Sequence, residues 1–283
     1  MTAIVLASVS ALLFGAMAVL IRIAIVTGVP PAAGTLFTII PACLITGVVA
    51  AARGNWDIAA AWPYVLAGLL APGIAQILFT FAARDVGASR SSVTVGTAPL
   101  FAVATALVFL DEPLVAGLIL GAALIVTGGV VLASERARPE HFKRIGLVYA
   151  LIGTIAFATR DTVIRWLGTD VTDAEPGVAA FVAMLTGTAV SLAFVAWTRS
   201  PLTRRAAIAF VPAGVCYGLS YVFLFEAFAR GRVSVVSPIV ATESLWGVTL
   251  SWLVLQKSEH VGARLVAGAV LVVAGGVLIG VYR

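Results

Sequence analysis

Charge is what this sequence has least of. Asp, Glu, Lys and Arg make up 11% of its 283 residues, where a soluble globular domain carries about 25%. A soluble fold must turn much of its surface to water. A chain that is 61% hydrophobic, with a mean hydropathy of +1.10, lacks the polar side chains to do so. The scarcity excludes a soluble domain and leaves lipid as the solvent. Cysteine is equally sparse: Cys43 and Cys216 lie inside apolar runs and form no CxxC pair, which excludes a zinc ribbon or a disulfide framework. The histidines, His141 and His260, stand in polar stretches far from metal-ligand spacing. No HExxH, GxSxG or ATP-binding motif occurs, so we expect no metal, no cofactor and no enzymatic reaction. The net charge of +5 comes from cations scattered through short loops rather than from a basic patch interleaved with aromatics, so no nucleic-acid partner is expected. Met1 to Ile21 carries no charge and no basic leader region, and reads as a first membrane helix rather than a cleaved signal.

What is present is a series of long apolar runs. About 20 such residues cross a bilayer core as a helix, and ten stretches qualify: roughly 3–26, 32–52, 63–83, 90–110, 114–133, 144–167, 177–197, 207–229, 233–254 and 263–282. Ile23 to Ala52 holds no charge at all, so Gly28-Val29-Pro30-Pro31 must make the first turn. The longest linker, Ser134 to Lys143, is dense in charge and falls near the middle of the chain.

The two halves around that linker resemble each other. Gly121 to Val130 reads GAALIVTGGV and Gly268 to Val277 reads GAVLVVAGGV, identical at seven of ten positions. Phe14…Ile21-Arg22 is matched by Phe157…Ile164-Arg165, and Ala83-Arg84…Ser89 by Ala229-Arg230…Ser234. The matches keep their order at offsets between 143 and 147 residues, which favours duplication over chance likeness among apolar helices. Five helices per half force the second half to enter the membrane from the opposite side. The expected fold is therefore an all-α polytopic membrane protein of ten transmembrane helices, arranged as two inverted five-helix repeats around a central cavity. Its expected parts are residues 1–136, a cytoplasmic linker at 137–143, and residues 144–283. Arg84, Arg90, Arg136, Arg138, Lys143, Arg144, Arg199, Arg204, Arg205, Lys257 and Arg264 all fall in loops of one side. Cations mark the cytoplasmic side, so both termini are expected outside the cytoplasm.

Ionisable groups within the hydrocarbon are costly, by at least about 2.5–3.5 kcal/mol for a central charge, and so point to function. Glu243 falls at the middle of the ninth span; it can bind a substrate ammonium, carry a proton, or simply pair with an arginine of a neighbouring helix. Arg160 and Asp161 lie just past the middle of the sixth span, about 100° apart on a helix, so at most one should face a cavity squarely. Arg160 can clamp a substrate carboxylate or neutralise Glu243. Gln76 and Tyr221 occupy matching positions near mid-depth, with Tyr217 one turn before Tyr221 and Trp246 one turn after Glu243; substrate wall and plain packing both explain them. Thr97, beside Pro99, is a further cavity candidate. Arg22 and Arg165 are expected to snorkel to the interface, and Glu226 to pair with Arg230 on its own helix. Pro72-Gly73, Pro99, Pro212 and Pro238 are candidate hinges, whereas Gly121, Gly128 and Gly129 fit close helix packing better.

Three pieces carry a family resemblance: Pro99-Leu100-Phe101…Leu110-Asp111-Glu112, then Gly121…Gly128-Gly129, and its repeat Gly268…Gly275-Gly276. Together they resemble the drug/metabolite transporter superfamily in its ten-helix EamA-like branch, most of all bacterial exporters of amino acids, including aromatic ones. Two positions depart from the pattern: Ser244 stands where Pro99 does in the first half, and Lys257 where Glu112 does. Relatives are also thought to keep their termini cytoplasmic, opposite to the loop-charge reading. The resemblance implies a transporter of the bacterial inner membrane that exports amino acids or related metabolites by alternating access. It would act as a monomer, with the lipid bilayer and a small-molecule substrate as its partners. An intramembrane enzyme and a channel or structural membrane component are the alternatives.

Overall fold

In lipid every backbone N–H and C=O must find its partner within the protein, and a helix does so within its own segment. The computed structural model describes residues 2–54, 56–101, 116–133, 142–231, 233–255 and 262–282, and among them the apolar runs are helices and no strand occurs. The helices are α1 (Thr2–Val26), α2 (Pro31–Ala52), α3 (Ile58–Val86), α4 (Ala88–Val95), α5 (Ala116–Ala133), α6 (Ile145–Val171), α7 (Pro176–Thr198), α8 (Arg204–Arg230), α9 (Val233–Val240), α10 (Glu243–Val254) and α11 (Ala263–Tyr282). Seven of them, α1 to α3, α6 to α8 and α11, are long and apolar enough to cross a membrane. The first turn forms where expected: Gly28 takes a φ of 86°, open to a residue without Cβ, and Pro31 starts α2.

The spans expected at 90–110 and 233–254 as single helices are both broken. α4 stops at Val95 before a turn at Gly96-Thr97, and α9 stops at Val240 before a turn at Ala241-Thr242. In the first case Pro99 has no amide hydrogen to give the Val95 carbonyl. Hydroxyls also compete for the backbone in both turns. Thr97 Oγ1 donates to Thr94 O at 2.6 Å, Thr242 Oγ1 to Ile239 O at 2.6 Å, and Ser244 Oγ to Ala241 O at 2.9 Å. α3 begins earlier than expected and leaves helical geometry at Ala71, just before Pro72. Asp111, Glu112, Lys257 and most of the central linker lie outside the described residues.

α1 lies along α8 and α10, α2 along α7 and α8, α3 along α6, and α5 along α11. The α5–α11 pair is antiparallel and brings the two glycine motifs together. A Cβ on Gly275 would sit 2.5 Å from Gly121 O, and one on Gly128 would sit 2.8 Å from Gly268 O. Gly129 is the exception to the packing expectation, since a Cβ there meets nothing within 4 Å. Arg22 does not snorkel: it is buried, and its Nη1 donates to Ala83 O at 3.2 Å and Arg84 O at 3.0 Å, satisfying carbonyls at the end of α3. Arg165 Nη1 donates likewise to Phe228 O near the end of α8, at 3.3 Å. Leu44, Val48, Trp62, Leu185, Trp197 and Val281 are exposed on the outside, where a water-soluble protein would carry charge.

Candidate functional site

The two broken helices bring polar side chains and backbone to mid-depth, where α1, α4, α6, α9 and α10 meet. Phe14 and Met17 come from α1, Phe79 from α3, Ser92 and Val95 from α4, and Ala98 and Pro99 from the segment after its break. Opposite them stand Phe157, Ala158, Arg160, Asp161 and Thr162 of α6, Ser237 and Val240 of α9, Ala241 of the second turn, and Glu243 at the start of α10. The cavity they enclose is small, about 40 Å³. At about 10–15 Å³ of such space per molecule, it holds a few waters and no organic substrate without movement of the walls.

Three of the sequence candidates, Arg160, Asp161 and Glu243, line this cavity together. Both Arg160 and Asp161 reach it although they are adjacent on one helix, because their side chains fold toward each other: Arg160 Nη2 lies 2.7 Å from Asp161 Oδ1. Arg160 Nη1 donates to the Tyr221 hydroxyl at 2.6 Å, and its guanidinium sits 5.3 Å from the Phe157 ring centroid and 5.2 Å from that of Tyr221. Nη2 faces Asp161 Oδ1 as an ion pair, and neither that oxygen nor Arg160 Nε makes a hydrogen bond among the described residues. The partner of Arg160 is thus Asp161 and not Glu243. Among the described residues no hydrogen bond or ion pair is made by the Glu243 carboxylate, although its residue is only 9% exposed.

The remaining candidates take other places. Tyr221 and Tyr217 are fully buried behind Arg160, ring against ring at 5.0 Å and 76°, and Phe14 packs edge-on to both. Gln76 is buried behind the cavity wall, with Nε2 3.8 Å from Met17 Sδ. Thr97 spends its hydroxyl on the helix break, while its neighbours Ala98 and Pro99 do the lining. Trp246 is brought to none of these groups: it is 40% exposed on the outer surface. Three residues along a helix rotate a side chain by about 300° and not a full turn, and the inward stripe of α10 is Glu243, Ser244, Gly247, Val248 and Ser251.

Sequence reasoning missed Phe14, Met17, Phe79, Ser92, Phe157 and Ser237 as lining residues. A signal for several was present in the repeat itself. Ser92 and Ser237, Val95 and Val240, and Phe14 and Phe157 are pairs at the repeat offset, and both members of each pair reach the cavity.

A second charged cluster lies at one face of the molecule. Glu226 pairs with Arg230 on its own helix, as expected, and also with Arg53, which reaches Glu175 at 2.5 Å. This ties the ends of α2 and α8 to the start of α7. On the opposite face a cleft of about 780 Å³ opens between the end of α1, the α1–α2 turn and the end of α3.

An all-helical chain with an apolar outer surface and a charged chamber at its centre is a polytopic membrane protein. The chain belongs to the EamA-like transporter family, whose sequence profile matches residues 1–134 and again residues 144–281. No curated protein matches it. A crystal structure described only as "Crystal structure of protein" is similar in fold, with a TM-score of 0.62 over 95% of this chain and 96% of that one, at 18% identity.

Proposed function

We propose that the protein exports amino acids or related small metabolites across a bacterial cytoplasmic membrane, by alternating access through the chamber at mid-depth. The observation that carries this reading is the grouping of Arg160, Asp161 and Glu243 around a small internal cavity whose other walls are aromatic and aliphatic. Charges at that depth are costly, so those retained there mark a functional site, and an apolar wall with few polar groups is the usual form of a small-molecule site.

In this reading the ten spans form two inverted five-helix halves, residues 1–136 and 144–283, joined at 137–143. The two separate family matches support it. So do the helix breaks after Val95 and Val240, 145 residues apart, and the antiparallel crossing of like glycine motifs in α5 and α11. The cavity is too small for substrate, so the halves must rock apart before it is loaded. Gradients drive the flux. The loop cations favour a cytoplasmic face at the end of α1, with the Arg53–Glu226 cluster outside.

Counterflow in proteoliposomes with a broad panel of labelled amino acids and metabolites tests the reading, and saturable exchange is expected. Glu243→Gln should lower that exchange at least about tenfold while the protein still folds and inserts, because it removes a buried charge that recognises its counterpart. The absence of saturable exchange across the whole panel would remove transport as the function. Wild-type flux in the Gln variant would remove Glu243 from the mechanism.

A further inference from the structure

We infer that the chamber reads an ammonium group, held at Glu243 with an apolar or aromatic body against the wall of the first half, and that a substrate carboxylate is dispensable. This rests on the transport reading above and names the chemistry of its substrate.

The charges of the chamber do not balance. Among the described residues Arg160, Asp161 and Glu243 are the charged ones on its wall, and their formal charges sum to −1. Arg160 is matched by Asp161 at 2.7 Å and further held by the Tyr221 hydroxyl at 2.6 Å. Its guanidinium already faces one carboxylate, so a second would enter against the charge of Asp161; the N–H groups it keeps, that of Nε among them, are donors for a neutral oxygen. Among the described residues Glu243 is the member with no hydrogen bond or ion pair, and it is more than nine-tenths buried on the cavity wall. A lone carboxylate in a low-dielectric site is neutralised by a proton or by a cationic partner, and a substrate ammonium is the partner that would take the place of the proton.

The distribution of the walls gives the rest of the ligand. At the repeat offset Met17 stands where Arg160 does, Ala18 where Asp161 does, and Ala98 where Glu243 does, so the charged groups all come from the second half. The first half contributes Phe14, Met17, Phe79, Val95, Ala98 and Pro99, with Ser92 as its polar but uncharged member. One wall is therefore charged and the facing wall apolar, which suits an amphipathic amine lying across the chamber.

Three probes of equal ring and similar length separate the possibilities in counterflow: phenethylamine, with an ammonium alone; phenylalanine, with both charged groups; and 3-phenylpropionate, with a carboxylate alone. Phenethylamine and phenylalanine should both exchange, 3-phenylpropionate should not, and Glu243→Gln should reduce the amine at least about tenfold, with Glu243→Asp restoring part of it. Exchange of 3-phenylpropionate at the rate of phenethylamine overturns the inference, and so does an amine flux indifferent to Glu243→Gln. The wild-type comparison needs no variant, so a Gln protein that fails to insert leaves the inference open to refutation. If none of the three probes moves while another metabolite of the panel does, the ammonium reading falls and transport stands. If no solute moves at all, the transport reading itself falls.

Discussion

At the scale of single residues, the chamber is organised by Arg160. Its charge lies among aromatic rings, 3% exposed, and stays there because Asp161 and the Tyr221 hydroxyl replace the water it has lost. Tyr221→Phe keeps the ring that packs on Phe14 and Tyr217 and deletes only the hydroxyl acceptor. A hydrogen bond to a charged group contributes about 1.5–3 kcal/mol, and the variant should lose stability of that order in detergent, read from its thermal unfolding. A loss below about 0.5 kcal/mol would mean that Arg160 finds another acceptor at no cost. The three ionisable groups were legible in the sequence because charge inside an apolar run is conspicuous. The pairing among them was not. Spacing places Arg160 and Asp161 about 100° apart on their helix but says nothing of how long side chains fold back, and it does not reveal which of two carboxylates the arginine meets.

At the scale of elements, helix existence was readable and helix continuity was not. Apolar length finds a span, but the interruptions at Gly96-Thr97 and Ala241-Thr242 depend on hydroxyls that choose backbone carbonyls over other partners. Those breaks place Pro99 and Glu243 on the cavity wall and let α10 restart with Trp246 turned outward. The glycine motifs were legible as packing surfaces, and the structure separates their members. Gly275 faces the Gly121 carbonyl of the neighbouring helix, whereas nothing lies within 4 Å of the position a Gly129 Cβ would take. Gly275→Val should force α5 and α11 apart, with the cost of overpacking, about 1–3 kcal/mol. Gly129→Ala should leave stability unchanged or raise it by up to about 1 kcal/mol. Equal unfolding temperatures for the two variants would show that the crossing is not as close as its geometry implies.

At the scale of the whole molecule, α3 acts as a ruler for the proposed inverted arrangement. Thr172, in the turn after α6, donates from Oγ1 to Ala60 O at 2.6 Å, at the beginning of α3. Arg22, just before the turn after α1, donates to Ala83 O near its end. Twenty-three residues at about 1.5 Å each separate those carbonyls by roughly 35 Å, less a little for the kink at Ala71. The hydrocarbon core is about 30 Å thick. The turn after the first helix of one half and the turn after the first helix of the other therefore belong at opposite membrane faces, which is what two halves of odd helix number require. Thr27 and Asp173 are exposed in these two turns. With Cys43 and Cys216 replaced, Thr27→Cys and Asp173→Cys should react from opposite sides of sealed vesicles with an impermeant maleimide. In the proposed orientation, with the loop cations around Arg84, Lys143 and Arg144 on the cytoplasmic side, the Asp173 variant should label in intact cells and the Thr27 variant only after permeabilisation. Reversed labelling would correct the orientation and keep the architecture; labelling of both cysteines from one side would dissolve the inverted pair, and alternating access between its halves with it.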